Sequence, residues 1–236
     1  MCIRDSTVAA AVKAGAESAS VGLGNPFGSN YEGPFSLKQR MDLLDTIISW
    51  WHEAGIPVTK VTFLDAMGWN MPHTVKETLT EVKDKYPEVE TYHMHLHNTR
   101  GVTIASYYEA LLLGATEFDT SLGGMGGCPY CGNGRSAGHV PTEDFVHMCH
   151  QMGIDTGYDL DKVIEAAIIA EEVVGHSLWG HVSKSGPLPD NQYYPGDMPF
   201  VETLEEASHF RKGSSVYEGQ ISPWRDGDAL TRSSKT

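Results

Sequence analysis

Apolar and polar positions along this chain follow two alternating periods. Short apolar runs of period two are followed by longer stretches of helical period, the rhythm of parallel strands joined by crossing helices. The first strand is predicted over residues 18–23, within "ESASVGLG". Its helix, "LKQRMDLLDTIISWWHEA", follows Ser36 as cap and stops at Gly55. The second strand covers residues 58–66, "VTKVTFLDA", and its helix opens at Pro72 and runs through "HTVKETLTEVKDKY". The third, residues 91–98, reads "TYHMHLHN" and precedes the helix "VTIASYYEALLL" with Gly114 as stop. The fourth, residues 117–124, reads "EFDTSLGG" and leads through a loop to a helix over residues 142–152. The helix "LDKVIEAAIIAEEVV" closes the regular part, and from about Lys184 the sequence turns to Pro, Gly, Ser and Tyr. The expected fold class is α/β, with an irregular tail. Four strand–helix units are too few for a closed eight-stranded barrel, and an open sheet of four leaves two bare edges.

Composition narrows the function classes. The 236 residues are 40% apolar, enough for one sizeable domain. A formal charge of −14 without a basic cluster argues against a nucleic-acid or anionic-membrane surface. No apolar run approaches the ~20 residues that cross a bilayer, and no signal-peptide core stands at the N-terminus, so the cytoplasm is the expected compartment. Four cysteines, Cys2, Cys128, Cys131 and Cys149, are too few for a secreted disulfide framework and read as free thiols.

Candidate chemistry lies in two places. On the third strand His93, His95 and His97 fall two apart, so they share one face while Met94 and Leu96 take the other. A close pair of imidazoles at the C-terminal end of such a strand, His95 and His97, can supply two adjacent ligands to a metal. The alternative is a set of polar core residues satisfied by neighbours or water, and for His93, deeper in the strand, that reading is preferred. Asp65, ending the strand before, is a candidate to bind a ligand or a histidine, or else to cap its own turn. His139, ahead of the helix that follows the fourth strand, is a candidate third ligand or a solvated loop residue.

The second place is "GGMGGCPYCGNG". A redox dithiol needs its first cysteine at a helix N-terminus, and Gly132, Asn133 and Gly134 do not propagate a helix. A zinc knuckle needs a second Cys-x-x-Cys, and His147, Cys149 and His150 do not share one helix face. Gly123, Gly124, Gly126 and Gly127 instead suggest a mobile loop carrying the thiol of Cys128 into a site.

Three stretches, "HLHNTRG" at 95–101, "FDTSLGGMGGCPY" at 118–130 and "GHVPTEDFVHM" at 138–148, resemble in order and spacing the second half of the hydroxymethylglutaryl-CoA lyase family. A looser likeness extends from about Val12 to Gly175 and includes "FLDAMG". The resemblance implies a partial (β/α)8 TIM barrel, roughly strands five to eight with their helices. Residues 7–183 would be the C-terminal part of that domain and 184–236 an irregular extension. It implies that His95 and His97 hold a divalent cation, Mg2+ or Mn2+, that His95 also assists proton transfer, and that Cys128 is a catalytic thiol. Asp65 matches an acidic residue near the substrate. The implied reaction is retro-Claisen cleavage of a 3-hydroxy-3-methylglutaryl-type acyl-CoA thioester to acetyl-CoA and a keto acid. The Claisen-condensing synthases that make citramalate, isopropylmalate and homocitrate share the His-x-His strand and are the alternative within enzymes. A non-catalytic metal-binding half barrel, pairing its edges in a homo-oligomer, is the alternative outside them.

The sequence departs from the family in three respects. His139 stands where the family has an asparagine ligand, and Cys131 lies in a loop about two residues longer than the family's. The family's first strand ends in Arg-Asp-Gly, which supplies an arginine to the substrate and an aspartate to the metal. Only Arg4-Asp5-Ser6 and Arg225-Asp226-Gly227 resemble it, and neither follows a strand-like run. The expectation is therefore a C-terminal half of a longer protein, weak or inactive alone, with "MCIRDS" foreign to the fold.

Overall fold

The computed structural model describes residues 3–131 and 136–188. Contacts divide the chain into two compact units. One comprises the residues up to Thr120 with Gly126–Val140, the other Ser121–Met125 with the residues from Pro141 onward.

The first unit is built on a parallel four-stranded sheet in sequential order, β1 (Ala19–Gly24), β2 (Val58–Asp65), β3 (Thr91–Leu96) and β4 (Glu117–Phe118). Helices α1 (Ile3–Ala14), α2 (Leu37–Glu53), α3 (Pro72–Lys85) and α4 (Thr103–Leu112) alternate with the strands. The start signals work as the sequence suggests. Ser36 and Gln39 form a reciprocal capping box at the head of α2, and Pro72 occupies the first turn of α3. Helix α1 begins at Ile3, so Arg4-Asp5-Ser6 lies in a helix and not at a strand end.

Strand β3 alternates strictly. Tyr92, Met94 and Leu96 are buried, and the side chains between them are half-buried. Met94 and Leu96 join Val21, Leu23, Val61 and Phe63 on the sheet, and Leu44, Ile48, Leu79 and Tyr107 on the helices, in one core. Each such side chain contributes roughly 1.5–3 kcal/mol by leaving water. The register pairs Thr62 with His93 and Leu64 with His95. Thr62, Leu64, His93 and His95 therefore stand on the other face.

The predicted fourth strand, residues 117–124, is the element that differs. Only Glu117–Phe118 join the sheet; Thr120–Ser121 is a separate two-residue strand and Leu122–Gly124 a 3-10 turn. Gly123 and Gly124 adopt φ of 60° and 74°, a left-handed backbone that no strand can contain. The place of a next rung beside β3 is taken by the hydroxyl of Tyr107, which donates to the Asp119 carbonyl (2.7 Å) and accepts from the Leu96 N–H (3.3 Å).

The second unit is helical: α5 (Thr142–Gln151), α6 (Leu160–Val174) and the short α7 (Val182–Ser185). Val146, Cys149, Ile164, Ala167 and Leu178 form its core. Two buried carboxylates hold its connections. Glu143 accepts from the Gly123 N–H (3.0 Å), and Asp144 accepts from the N–H groups of His181 (2.9 Å) and Val182 (2.7 Å). A Cβ on Gly123 would meet Leu178 at 2.6 Å, so this glycine serves close packing as well as its left-handed turn. Among the described residues no helix is long and apolar enough to cross a membrane.

Candidate metal centre

Because β3 ends at Leu96, His97 is the first residue beyond the ladder, and its side chain continues the alternation begun by His93 and His95. The segment 136–139 passes the same strand end. Asn98 N–H donates to the Gly138 carbonyl (2.8 Å), and this bond fixes His139 over β3. His95, His97 and His139 thereby converge, with one potential ligand nitrogen from each lying within 4.8 Å of the others. Their ring centroids are 5.5, 4.4 and 4.3 Å apart for the pairs 95–97, 95–139 and 97–139. It is the one such group of three among the described residues. His147, Cys149 and His150 form no second cluster. Cys149 is buried in the helical core, and His150 pairs with Thr156 Oγ1 (3.0 Å).

Hydrogen bonds settle which nitrogen each ring can offer. His97 Nδ1 lies 2.7 Å from the Ala137 carbonyl and His139 Nδ1 3.1 Å from the Leu96 carbonyl. A carbonyl oxygen only accepts, so both Nδ1 atoms carry the proton and both Nε2 atoms hold the free lone pair. Ser136 Oγ also accepts from His97 Nδ1 (3.1 Å) while donating to the Ala66 carbonyl (2.8 Å). His95 Nδ1 lies 2.6 Å from Asp119 Oδ2, and the other oxygen of Asp119 meets His93 Nε2 at 3.0 Å. Rings braced in this way, through carbonyl or carboxylate on one nitrogen, are oriented for a cation on the other.

Electrostatics supports the same arrangement. Burial lowers the pKa of His97, and burial followed by repulsion from His97 lowers that of His139 to about 4. Both rings are therefore neutral near pH 7. Burial works against ionisation of Asp119, but the hydrogen bonds from His95 and His93 outweigh it and hold the carboxyl below the usual carboxylate range. Three neutral or carboxylate-braced imidazoles, each with a nitrogen within 4.8 Å of the others, fit a divalent cation.

The other candidates are placed differently. Asp65 is fully buried and its Oδ2 accepts from Asn70 N–H (2.6 Å) and Asn70 Nδ2 (2.9 Å). Asn70 Nδ2 reaches on to the His97 carbonyl (3.3 Å), so Asp65 braces the end of β3 through Asn70. Burial raises its pKa, and its Oδ1 has no hydrogen-bond partner. Cys128 is half-buried and Cys131 buried, and both are free thiols. Cys131 Sγ donates to the Ala66 carbonyl (2.7 Å), and Asn30 Nδ2 donates to the Cys131 carbonyl (2.8 Å). Burial, and then a hydrogen bond with Cys128, raise the Cys131 thiol, which keeps it protonated. Gly126 has φ 112°, and a Cβ on Gly127 would meet the Ser136 carbonyl at 2.8 Å. Gly132, Asn133 and Gly134, like Arg225-Asp226-Gly227, lie outside the described residues.

The residues that sequence reasoning missed are Asp119 and Ser136. Asp119 has a legible signal in hindsight, since parallel pairing of His93 with Glu117 carries residue 119 alongside His95. Ser136 has none, because it reaches His97 only through the path of the loop.

The fold is that of an α/β protein of the barrel class, with a cluster of three histidines at its strand ends. Residues 4–169 match the HMGL-like family model, and the chain belongs to the HMGL-like family. The (R)-citramalyl-CoA lyase of Chloroflexus aurantiacus is 32% identical over 168 residues, 71% of this chain and 50% of that protein. The hydroxymethylglutaryl-CoA lyase YngG of Bacillus subtilis is 35% identical over 156 residues, 66% of this chain and 49% of that protein. Among solved structures, an HMG-CoA lyase from Acinetobacter baumannii in complex with coenzyme A and 3-methylmalate superimposes with a TM-score of 0.65 at 30% identity. That match covers 80% of this chain and 59% of the lyase. The chain thus spans about half the length of the curated relatives it matches, in keeping with a partial barrel.

Proposed function

We propose that the protein is a divalent-metal-dependent carbon–carbon lyase acting on a 3-hydroxy-3-methylglutaryl-type acyl-CoA thioester, released as acetyl-CoA and a keto acid. The observation that carries this reading is the convergence of His95, His97 and His139 at the strand ends of a chain in this family. The names of the relatives, lyases of hydroxymethylglutaryl-CoA and of (R)-citramalyl-CoA, support the substrate class.

A cation held by the three Nε2 atoms would supply Lewis acidity, lowering the pKa of a substrate tertiary hydroxyl. The chain's own share is positional and protonic. The hydrogen bonds from His97 to Ala137 and from His139 to Leu96 lock the rings before substrate arrives. Asp119 keeps His95 in the Nδ1-protonated form. As the hydroxyl loses its proton to solvent water, the electrons of the breaking carbon–carbon bond pass to the thioester α-carbon, which then needs a proton. Cys128, half-buried on the glycine loop and next to a protonated Cys131, gives that proton. The proton lost at oxygen and the one gained at carbon balance, and no redox partner is required.

The test is acetyl-CoA release, followed by mass spectrometry, together with binding of the thioester to metal-loaded protein. Both should fall on chelation and in His97→Ala, whereas Cys128→Ser should lose release and keep binding. Release that survives chelation and His97→Ala would sink the reading. A mixed nitrogen and oxygen ligand set would suit Mg2+ or Mn2+; the described cluster contributes nitrogen alone.

A further inference from the structure

We propose that the three-histidine cluster is selective for a nitrogen-preferring divalent ion of the Zn2+ or Co2+ class, and discriminates against Mg2+. This rests on the lyase reading only in placing a cation at the cluster; it adds the identity class of the ion.

The argument begins with the donor set. Every ligand atom of the group is an imidazole nitrogen. Mg2+ demands near-octahedral oxygen donors and gives up its water reluctantly, whereas imidazole suits Zn2+, Co2+ and their neighbours. Asp119 has both oxygens engaged and Asp65 one of its two. Asp119 spends one oxygen on His95 and the other on His93, and Asp65 spends Oδ2 on Asn70 inside a fully buried turn. Among the described residues the group thus offers nitrogen donors alone.

The second part is preorganisation. All three rings are fixed by a partner on Nδ1: Asp119 for His95, Ala137 O for His97 and Leu96 O for His139. The partners come from a neighbouring strand end, the incoming loop and the strand itself, so each ring has its own anchor. Each is the outer-shell brace that histidine-ligated zinc sites use, and it leaves Nε2 as the donor. Three imidazoles of this kind with further positions open are the arrangement of a catalytic zinc site, not of a structural one.

His139 is the residue that decides. It completes the group from the incoming segment, not from the strand that carries His95 and His97, and makes the third donor a nitrogen like the other two.

The experiment is done without substrate, on the full chain stripped with a chelator. Zn2+ is titrated in competition with a chromophoric chelator, Co2+ by its visible absorption, and Mg2+ and Mn2+ by calorimetry. The expected result is one Zn2+ or Co2+ per chain, Co2+ bands of a four- or five-coordinate nitrogen site, and Zn2+ affinity at least about 100-fold above that for Mg2+. His139→Asn is expected to weaken Zn2+ at least about tenfold and to shrink its advantage over Mg2+. The Cys128→Ser, Cys131→Ser double variant should retain the ion, and thiolate-to-cobalt charge transfer should be absent. Mg2+ binding as tight as Zn2+, or a Zn2+ affinity unchanged in His139→Asn, would overturn the selectivity while leaving the lyase reading intact. Failure of every divalent ion to bind would overturn both. Selective Zn2+ binding by a chain that, metal-loaded, does not bind the thioester would sink the lyase reading and leave this one standing.

Discussion

The two faces of β3 differ in character, one apolar and packed, the other lined with imidazoles. On one face Tyr92, Met94 and Leu96 are buried beneath helices. On the other His93, His95 and, just past the ladder, His97 present imidazoles that are held by carboxylate, hydroxyl and carbonyl groups. Both faces are made by the same six-residue run, 92–97, so the geometry of the histidines depends on the packing of the face behind them. A cation site built on a strand inherits the rigidity of the core, which a site on loops would have to supply for itself.

Three experiments separate the faces, in descending order of effect. Met94→Ala, at a side chain with no exposed surface, should cost about 2–5 kcal/mol of folding stability in a denaturant titration. Metal affinity measured below the unfolding midpoint should change little; if the site were lost first, the two faces would not be separable. His95→Ala should do the reverse, weakening Zn2+ or Co2+ binding by about 100-fold or more while shifting the denaturation midpoint only slightly. Asp119→Asn removes the negative charge behind His95 and offers an amide N–H where His93 or His95 needs an acceptor. A loss of about tenfold in metal affinity is expected, read by the same competition assay. An unchanged affinity would show that the carboxylate does not orient the ring.

The smallest effect belongs to a region remote from both faces. Burial opposes ionisation of Asp45, yet hydrogen bonds from Lys85 and Tyr86 outweigh it and hold the carboxyl below its ordinary value. A group depressed in the folded state stabilises above its unfolded pKa and loses that contribution as pH falls through the folded value. Asp45→Asn should therefore lower stability at pH 7 by no more than about 1 kcal/mol, with the difference from the parent disappearing in the acid range. A difference that persists there would point to lost packing and not to charge.

Much of the fold was legible because its local signals agree. Ser36 with Gln39, Pro72, and the left-handed glycines 55, 114 and 175 mark helix ends by backbone chemistry that needs no tertiary help. The sheet face of β3 was legible from period alone. The fourth strand was not, because "EFDTSLGG" keeps an acceptable alternation through Ser121, while the Tyr107 hydroxyl ends the pairing after Phe118 and the left-handed turn at Gly123 and Gly124 closes the run. At the site His95 and His97 could be found by spacing, and His139 by position. Asp119 needed the register between strands, and Ser136 and Asn70 needed the course of two loops in space, which no one-dimensional pattern encodes.

The Tyr107 hydroxyl has a further consequence. It occupies the point where β3 and the chain leaving β4 part company, bonded to the Leu96 N–H on one side and the Asp119 carbonyl on the other. One phenol on a helix therefore sets the gap between the backbone that carries His97 and the backbone that carries the carboxylate behind His95. Replacing it with phenylalanine would alter no ligand and no charge near a cation. It would instead leave the Asp119 N–H bond to the Met94 carbonyl (2.9 Å) as the remaining tie between the two backbones, turning a doubly braced gap into a singly braced one.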